Sequence, residues 1–225
     1  FSYDGFDREE FVTKNVKLEV KNFAADFEIP WGMAFLPDTS MLVTDLSGSL
    51  YRVYQDGDKD VIKGIPNVYY KGQGGLLDVE VHPDFLDNNY IYVSYSQPKK
   101  GKAFTAVARA KLIRNHLEDF KIIYSTEYKH FSRKTVHFGS RFAISGDYLF
   151  FSIGDRGVRN EAQDISLPNG KIHRIKDNGI IPSDNPFFGQ KGALSTIWSF
   201  GNRNPQGLAI HPLTGQLWES EHGPR

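Results

Sequence analysis

The chain has 225 residues, no cysteine, and 27 basic against 27 acidic side chains, so its formal net charge is zero. Neutrality argues against a nucleic-acid or anionic-membrane binder, which carries a basic excess, and the missing thiol excludes disulfides, thiolate catalysis and cysteine-ligated zinc or iron–sulfur centres. Hydrophobic residues at 40% and aromatics at 14% exclude disorder of the whole chain, and no run approaches the ~18 apolar residues of a membrane span.

Glycine (21) and proline (11) are spread along the chain and leave little room for long helices. Short segments rich in β-branched and aromatic residues, bounded by turn residues, predict many short strands instead. In chain order they form four pairs: 31–37 with 41–45, 77–83 with 90–94, 140–145 with 148–155, and 206–212 with 216–221. The pairs are copies of one unit. Their turn positions at 37, 83, 145 and 212 are 46, 62 and 67 residues apart, against ~40–50 residues for a minimal four-stranded propeller blade. A unit that buries its faces only against its neighbours closes radially. The expected fold is therefore an all-β propeller of four-stranded antiparallel blades, about four of them in this chain, with residues 1–225 as one domain. A generic all-β sandwich is the alternative. The cluster Lys99-Lys100-Gly101-Lys102 is expected to be a solvated hairpin tip. Trp31, Trp198 and Trp218 are expected to pack between blades. No signal peptide is visible, so the chain is either cytosolic or has lost its leader.

In a propeller the loops at one end of the channel gather residues from every blade. Val136-His137-Phe138-Gly139-Ser140-Arg141 precedes the third pair, and Ile153-Gly154-Asp155-Arg156-Gly157 closes it. A carboxylate on one ring nitrogen fixes the histidine tautomer and leaves the other nitrogen as a proton acceptor; the bland reading is an exposed or structural histidine. Ser199-Phe200-Gly201-Asn202-Arg203-Asn204-Pro205-Gln206-Gly207 presents a guanidinium fork suited to a carboxylate or a polarised carbonyl, or else an arginine that merely bonds loop carbonyls. Glu221-His222-Gly223-Pro224 offers two backbone carbonyls of the kind hard cations take, though a plain turn explains it as well. No dinucleotide fingerprint, Walker loop or nucleophile elbow is present.

Together these segments, with Gly72-Gln73-Gly74-Gly75-Leu76-Leu77, Ala162-Gln163-Asp164, Gly170-Lys171-Ile172 and Asp184-Asn185-Pro186-Phe187 in the same order, resemble the soluble quinoprotein sugar dehydrogenases. That family contains the soluble glucose dehydrogenases and the aldose sugar dehydrogenases, and His222 resembles the aldose sugar dehydrogenase branch. The resemblance implies a six-bladed propeller that holds pyrroloquinoline quinone (PQQ) and calcium and oxidises the anomeric C1 hydroxyl of aldoses to lactones. It implies His137 as the base, Asp155 as its orienting acid and Arg203 as the group polarising the quinone. It further implies Asn204 and His222 lining the cofactor, Gln73 touching the sugar, and the carbonyls of Gly223 and Pro224 on calcium. The resemblance places an acidic sugar contact of the glucose dehydrogenases where this chain has Val136, which points to a different and broad substrate range. Two further blades, with a lysine, a threonine and arginines for the PQQ carboxylates, follow in the family, so the chain is expected to be truncated at its C-terminus and inactive alone. The expected partners are an aldose and an electron acceptor of unknown identity, with no nucleic acid and no membrane span, in a periplasmic or secreted protein. A non-catalytic binding module and a calcium-dependent propeller lactonase are the other functions this fold allows.

Overall fold

The second strand of each of the first three predicted pairs is an almost unbroken apolar run because both of its faces are covered. In the computed structural model, which describes residues 8–223, β4 (Met41–Asp45), β8 (Tyr90–Lys99) and β12 (Tyr148–Ile153) each sit inside a four-stranded antiparallel sheet. The first sheet runs β3 (Pro30–Phe35), β4, β5 (Leu50–Val53), β6 (Lys59–Ile62). The second runs β7 (Leu76–Val81), β8, β9 (Lys102–Ile113), β10 (His116–Tyr124). The third runs β11 (Phe142–Ser145), β12, β13 (Lys171–Lys176), β14 (Ile197–Phe200). A fourth begins with β15 (Pro205–Ile210) and β16 (Leu217–Glu221). A separate hairpin, β1 (Arg8–Val12) and β2 (Lys17–Lys21), precedes them. The chain is a β-propeller covering about four blades, and the four predicted pairs are the first two strands of each.

The innermost strands β3, β7, β11 and β15 pack on one another in that order. Burial peaks on the second strands and falls toward the outer ones. Leu42, Ile91 and Leu149 on the second strands are almost wholly buried, whereas Val61 on β6 and Ile122 on β10 are exposed. A fully buried aliphatic or aromatic side chain contributes ~1.5–3 kcal/mol, so the stacking of sheets carries most of the stability. The 99–102 segment is the tip of the β8–β9 hairpin, as expected. Trp31 packs beside Leu46, Leu77 and Phe138, and Trp198 lies edge-on to Phe150. Trp218 differs: it is 62% exposed and stacks on His211, because nothing among the described residues covers that face of β16.

One polar device repeats between blades. The hydroxyls of Thr44, Ser94 and Ser152 donate to the carbonyls of Leu77, Ser140 and Pro205 in the following blade. Each also accepts a backbone N–H in its own blade, from Gly32, Asp78 and Arg141 respectively. In the first two blades that N–H lies where the ladder slips register, a bulge that leaves it unpaired. A buried hydroxyl with both roles filled stitches two sheets without an orphaned group.

Arg141 adds an ionic hub. Its Nη1 donates to Asp78 at 2.7 Å in the second blade, its Nε donates to the Gln206 carbonyl at 2.9 Å in the fourth, and its guanidinium lies 4.5 Å from the Trp31 ring in the first.

A core histidine sets an acid response. His173 on β13 is fully buried and stacked on Phe151. Its Nε2 lies 3.1 Å from the Pro168 carbonyl, which can only accept, so Nε2 carries the proton and Nδ1 accepts from the Thr196 hydroxyl at 2.9 Å. Burial lowers its pKa from 6.5 to about 3. The unfolded chain therefore binds the extra proton between those values, and the contribution of this group is present above pH 6.5 and lost as pH falls toward 3. His173→Leu is expected to flatten the loss of unfolding free energy between neutral pH and about pH 4 by on the order of 3 kcal/mol. Urea midpoints of parent and variant across that range check it, and parallel curves would refute it.

Candidate functional site

His137 stands on the loop that enters the third blade, and Asp155 on the loop that leaves its second strand. Antiparallel pairing of β11 and β12 brings the two loops to the same end of the sheet. The imidazole Nδ1 lies 2.6 Å from Asp155 Oδ1. A carboxylate only accepts, so Nδ1 carries the proton and Nε2 is left as a base. Asp155 is 4% exposed at its side chain and His137 14%, so the pair is sheltered but reachable. Asp155 Oδ1 also accepts the Gly157 N–H at 2.6 Å, which holds the carboxylate in place.

The His137 loop is strained and tightly held. His137, Ser140 and Arg156 are non-glycine residues in the left-handed region, with φ of 54°, 89° and 54°; such a backbone costs about 1 kcal/mol at each. Gln73 Oε1 accepts the His137 N–H at 2.7 Å, Asn204 Oδ1 accepts the Gly139 N–H at 3.1 Å, and Thr105 donates to the Phe138 carbonyl at 2.8 Å. Gly154 is required for the approach of the two loops. A Cβ there would lie 2.4 Å from the His137 carbonyl oxygen and 2.9 Å from Asn204 Oδ1.

Arg203 joins the pair through its backbone, its carbonyl accepting from Asp155 N–H at 2.7 Å. Its guanidinium donates to the His222 carbonyl at 2.7 Å and reaches the Gly223 carbonyl at 3.4 Å. The Glu221 carboxylate accepts the N–H groups of Arg203 and Asn204 at 2.5 and 3.1 Å, which shapes this loop. Beside it lies a cavity of about 340 Å³ walled by Asp155, Arg159, Gln163, Asn202, Arg203 and Glu221 among others. Its far wall is a 3₁₀ turn, Arg159–Gln163. Lys171 anchors that turn: its buried Nζ donates to the carbonyls of Glu161, Ala162 and Asn169 at 2.9, 2.9 and 2.5 Å, and burial lowers it to about 8. A larger, more open hollow of about 680 Å³, walled by Tyr148, Arg174, Trp198 and Trp218, lies on the face of the third blade toward β16 and contains neither His137 nor Asp155.

His137, Asp155, Arg203 and Gln73 thus come together. Asn204 is buried beneath the His137 loop and does not line the cavity, nor does His222, whose N–H donates to the Asn204 carbonyl at 3.2 Å. Pro224 lies outside the described residues. The Gly223 carbonyl faces the Arg203 guanidinium at 3.4 Å, whose fixed charge disfavours a divalent ion at that oxygen. No group of three or more His, Asp or Glu side chains gathers in metal-ligating geometry among the described residues, and no helix there is long and apolar enough to cross a membrane. Sequence reasoning missed Glu221 as a loop clamp, Lys171 as an anchor and Arg156 altogether. The motifs containing them are visible, but their burial is not.

The chain is similar to several known proteins. Residues 27–225 match the family model described as Glucose / Sorbosone dehydrogenase. Aldose sugar dehydrogenase YliI of Escherichia coli (strain K12) is 42% identical over 202 residues, covering 87% of this chain and 54% of that protein. The crystal structure of the soluble aldose sugar dehydrogenase from Escherichia coli, in the apo-form, superposes with a TM-score of 0.84 at 39% identity, covering 90% of this chain and 60% of that one. The PQQ-bound form of an aldose sugar dehydrogenase from Streptomyces coelicolor superposes with a TM-score of 0.78 at 26% identity, covering 91% and 60%. The chain spans about half the length of the curated relatives it matches.

Proposed function

Because the chain belongs to the glucose/sorbosone dehydrogenase family, we propose that the intact protein is a PQQ-dependent oxidoreductase that oxidises the anomeric C1 hydroxyl of aldoses to lactones. The observation that carries this reading is the sheltered His137–Asp155 pair at the mouth of the third blade.

The cavity beside Arg203 suits the cofactor's chemistry. It offers two guanidinium groups, Arg159 and Arg203, together with the amide oxygen of Asn202, which is buried without a partner. A flat heterocycle bearing several carboxylates and a ring N–H matches those donors and that acceptor. Arg203 and Arg159 would hold it, with Arg203 the polarising charge on the quinone side. PQQ, when bound, supplies the acceptor for the hydride that leaves C1. His137 Nε2 takes the proton of the C1 hydroxyl, so sugar loses one proton and one hydride. Asp155 keeps Nδ1 protonated and stabilises the imidazolium as it forms. Gln73 is fixed by its bond to the His137 N–H, which leaves its amide nitrogen to meet a sugar hydroxyl. Val136 puts an apolar side chain beside the base, and a site with fewer obligatory sugar hydrogen bonds accepts a wider range of aldoses. No step is assigned to calcium. An extracytoplasmic site of action, in keeping with a cysteine-free chain, is part of the same proposal.

The test is aldose-dependent dye reduction by the intact protein with and without added PQQ. Reduction that requires both sugar and PQQ supports the proposal. No turnover with any aldose, or lactone hydrolysis without PQQ, would overturn it.

A further inference from the structure

Arg156 follows Asp155 directly, yet its side chain turns inward and is 1% exposed. It forms no ion pair with a carboxylate among the described residues. Its Nη2 donates to the Lys134 carbonyl at 2.5 Å, and its guanidinium carbon lies 3.3 Å from the centre of the Phe138 ring. Nε and Nη1 are buried without a partner.

A guanidinium buried this way is unfavourable. A methionine-like side chain would fill the same volume without that penalty, so packing alone does not account for it. Its contacts do. Lys134 lies three residues before His137 and Phe138 immediately after, so this one side chain grips the loop on both sides of the imidazole. That loop holds His137 in a left-handed backbone, a conformation that persists only where surrounding contacts over-determine it. Lys134 completes the bracket by donating from Nζ to the Gly157 carbonyl at 2.7 Å.

We propose that Arg156 is a positioning residue: a buried cation that clamps residues 134–138 and so holds the His137 imidazole on Asp155. The proposal rests on the reading of His137 as proton acceptor, but its first readout does not depend on turnover.

The experiment compares Arg156→Met and Arg156→Lys in the intact protein, with ¹⁵N-labelled histidine. In the parent, the His137 Nδ1–H proton is held by Asp155 and gives a slowly exchanging downfield resonance. In Arg156→Met that resonance is expected to broaden or vanish while the protein stays folded by circular dichroism. Turnover in the presence of PQQ is expected to fall by ~10²-fold with KM little changed, the size of a displaced catalytic group. Arg156→Lys keeps the charge and is expected to restore the resonance in large part. A folded Arg156→Met that keeps both the resonance and the parental turnover would overturn the proposal. If Arg156→Met does not fold, Arg156→Gln, which also removes the cation, takes its place: loss of the resonance with lowered turnover in the folded variant would uphold the proposal, and retention of both would overturn it. A changed resonance in a protein that oxidises no aldose would leave the clamp standing and remove the proposed function.

Discussion

His137→Gln in the intact, PQQ-supplemented protein is expected to lower kcat for aldose oxidation by ~10²–10⁴-fold, the range for removing a positioned general base. The substitution removes the Nε2 acceptor and leaves the fold intact, because the imidazole contributes only its bond to Asp155 to the packing around it. KM is expected to change far less than kcat, since proton removal belongs to the transition state and not to ground-state binding. Asp155→Asn is expected to be almost as damaging. An amide can donate to Nδ1, which turns the ring to the tautomer whose Nε2 carries the proton. Steady-state dye reduction across a pH series checks both variants. Parental kcat in His137→Gln would remove this residue from the chemistry.

The largest loss of stability is expected from Asp78→Ala, at about 3 kcal/mol or more. Asp78 is 2% exposed and accepts from Arg141 Nη1 at 2.7 Å and from the Phe142 N–H at 2.8 Å. Removing one partner of such a pair leaves the other charge and a backbone donor unmatched, which costs ~3–5 kcal/mol when both are buried. Arg141 is 28% exposed at its side chain, so water screens part of the effect and the lower end applies. Asp78→Asn is expected to cost nearly as much, because its amide NH2 replaces one of the two oxygens that accept from Arg141 and from the Phe142 N–H. Burial raises the carboxyl's pKa, while Arg141 and the Phe142 N–H oppose that shift. Urea unfolding of the intact protein measures both, and a loss below 1 kcal/mol for Asp78→Ala would contradict the hub.

Much of this architecture was legible because it repeats. Second strands recur at 41–45, 90–94, 148–155 and 216–221, each behind a turn, and their recurrence predicts stacked blades. A hydroxyl stands near the end of each, at Thr44, Ser94, Ser152 and Ser220, although only the structure shows that the first three stitch one sheet to the next.

Residue types and spacing by themselves determined the all-β class, the blade-sized repeat, and the loops where His137, Asp155 and Arg203 had to be sought. Each follows from local chemistry: alternation of strand and turn, and polar groups beside glycine. Tertiary structure alone decided which of them meet. It set Asp155 on His137, seated the Arg203 guanidinium on the carbonyls of His222 and Gly223, and sank Asn204 beneath the loop. It also buried Arg156 and Lys171, two cations whose depth no local pattern shows. Burial and partnership between blades depend on closure of the sheets around a common axis, a property of contacts 18 to 65 residues apart that no local pattern encodes.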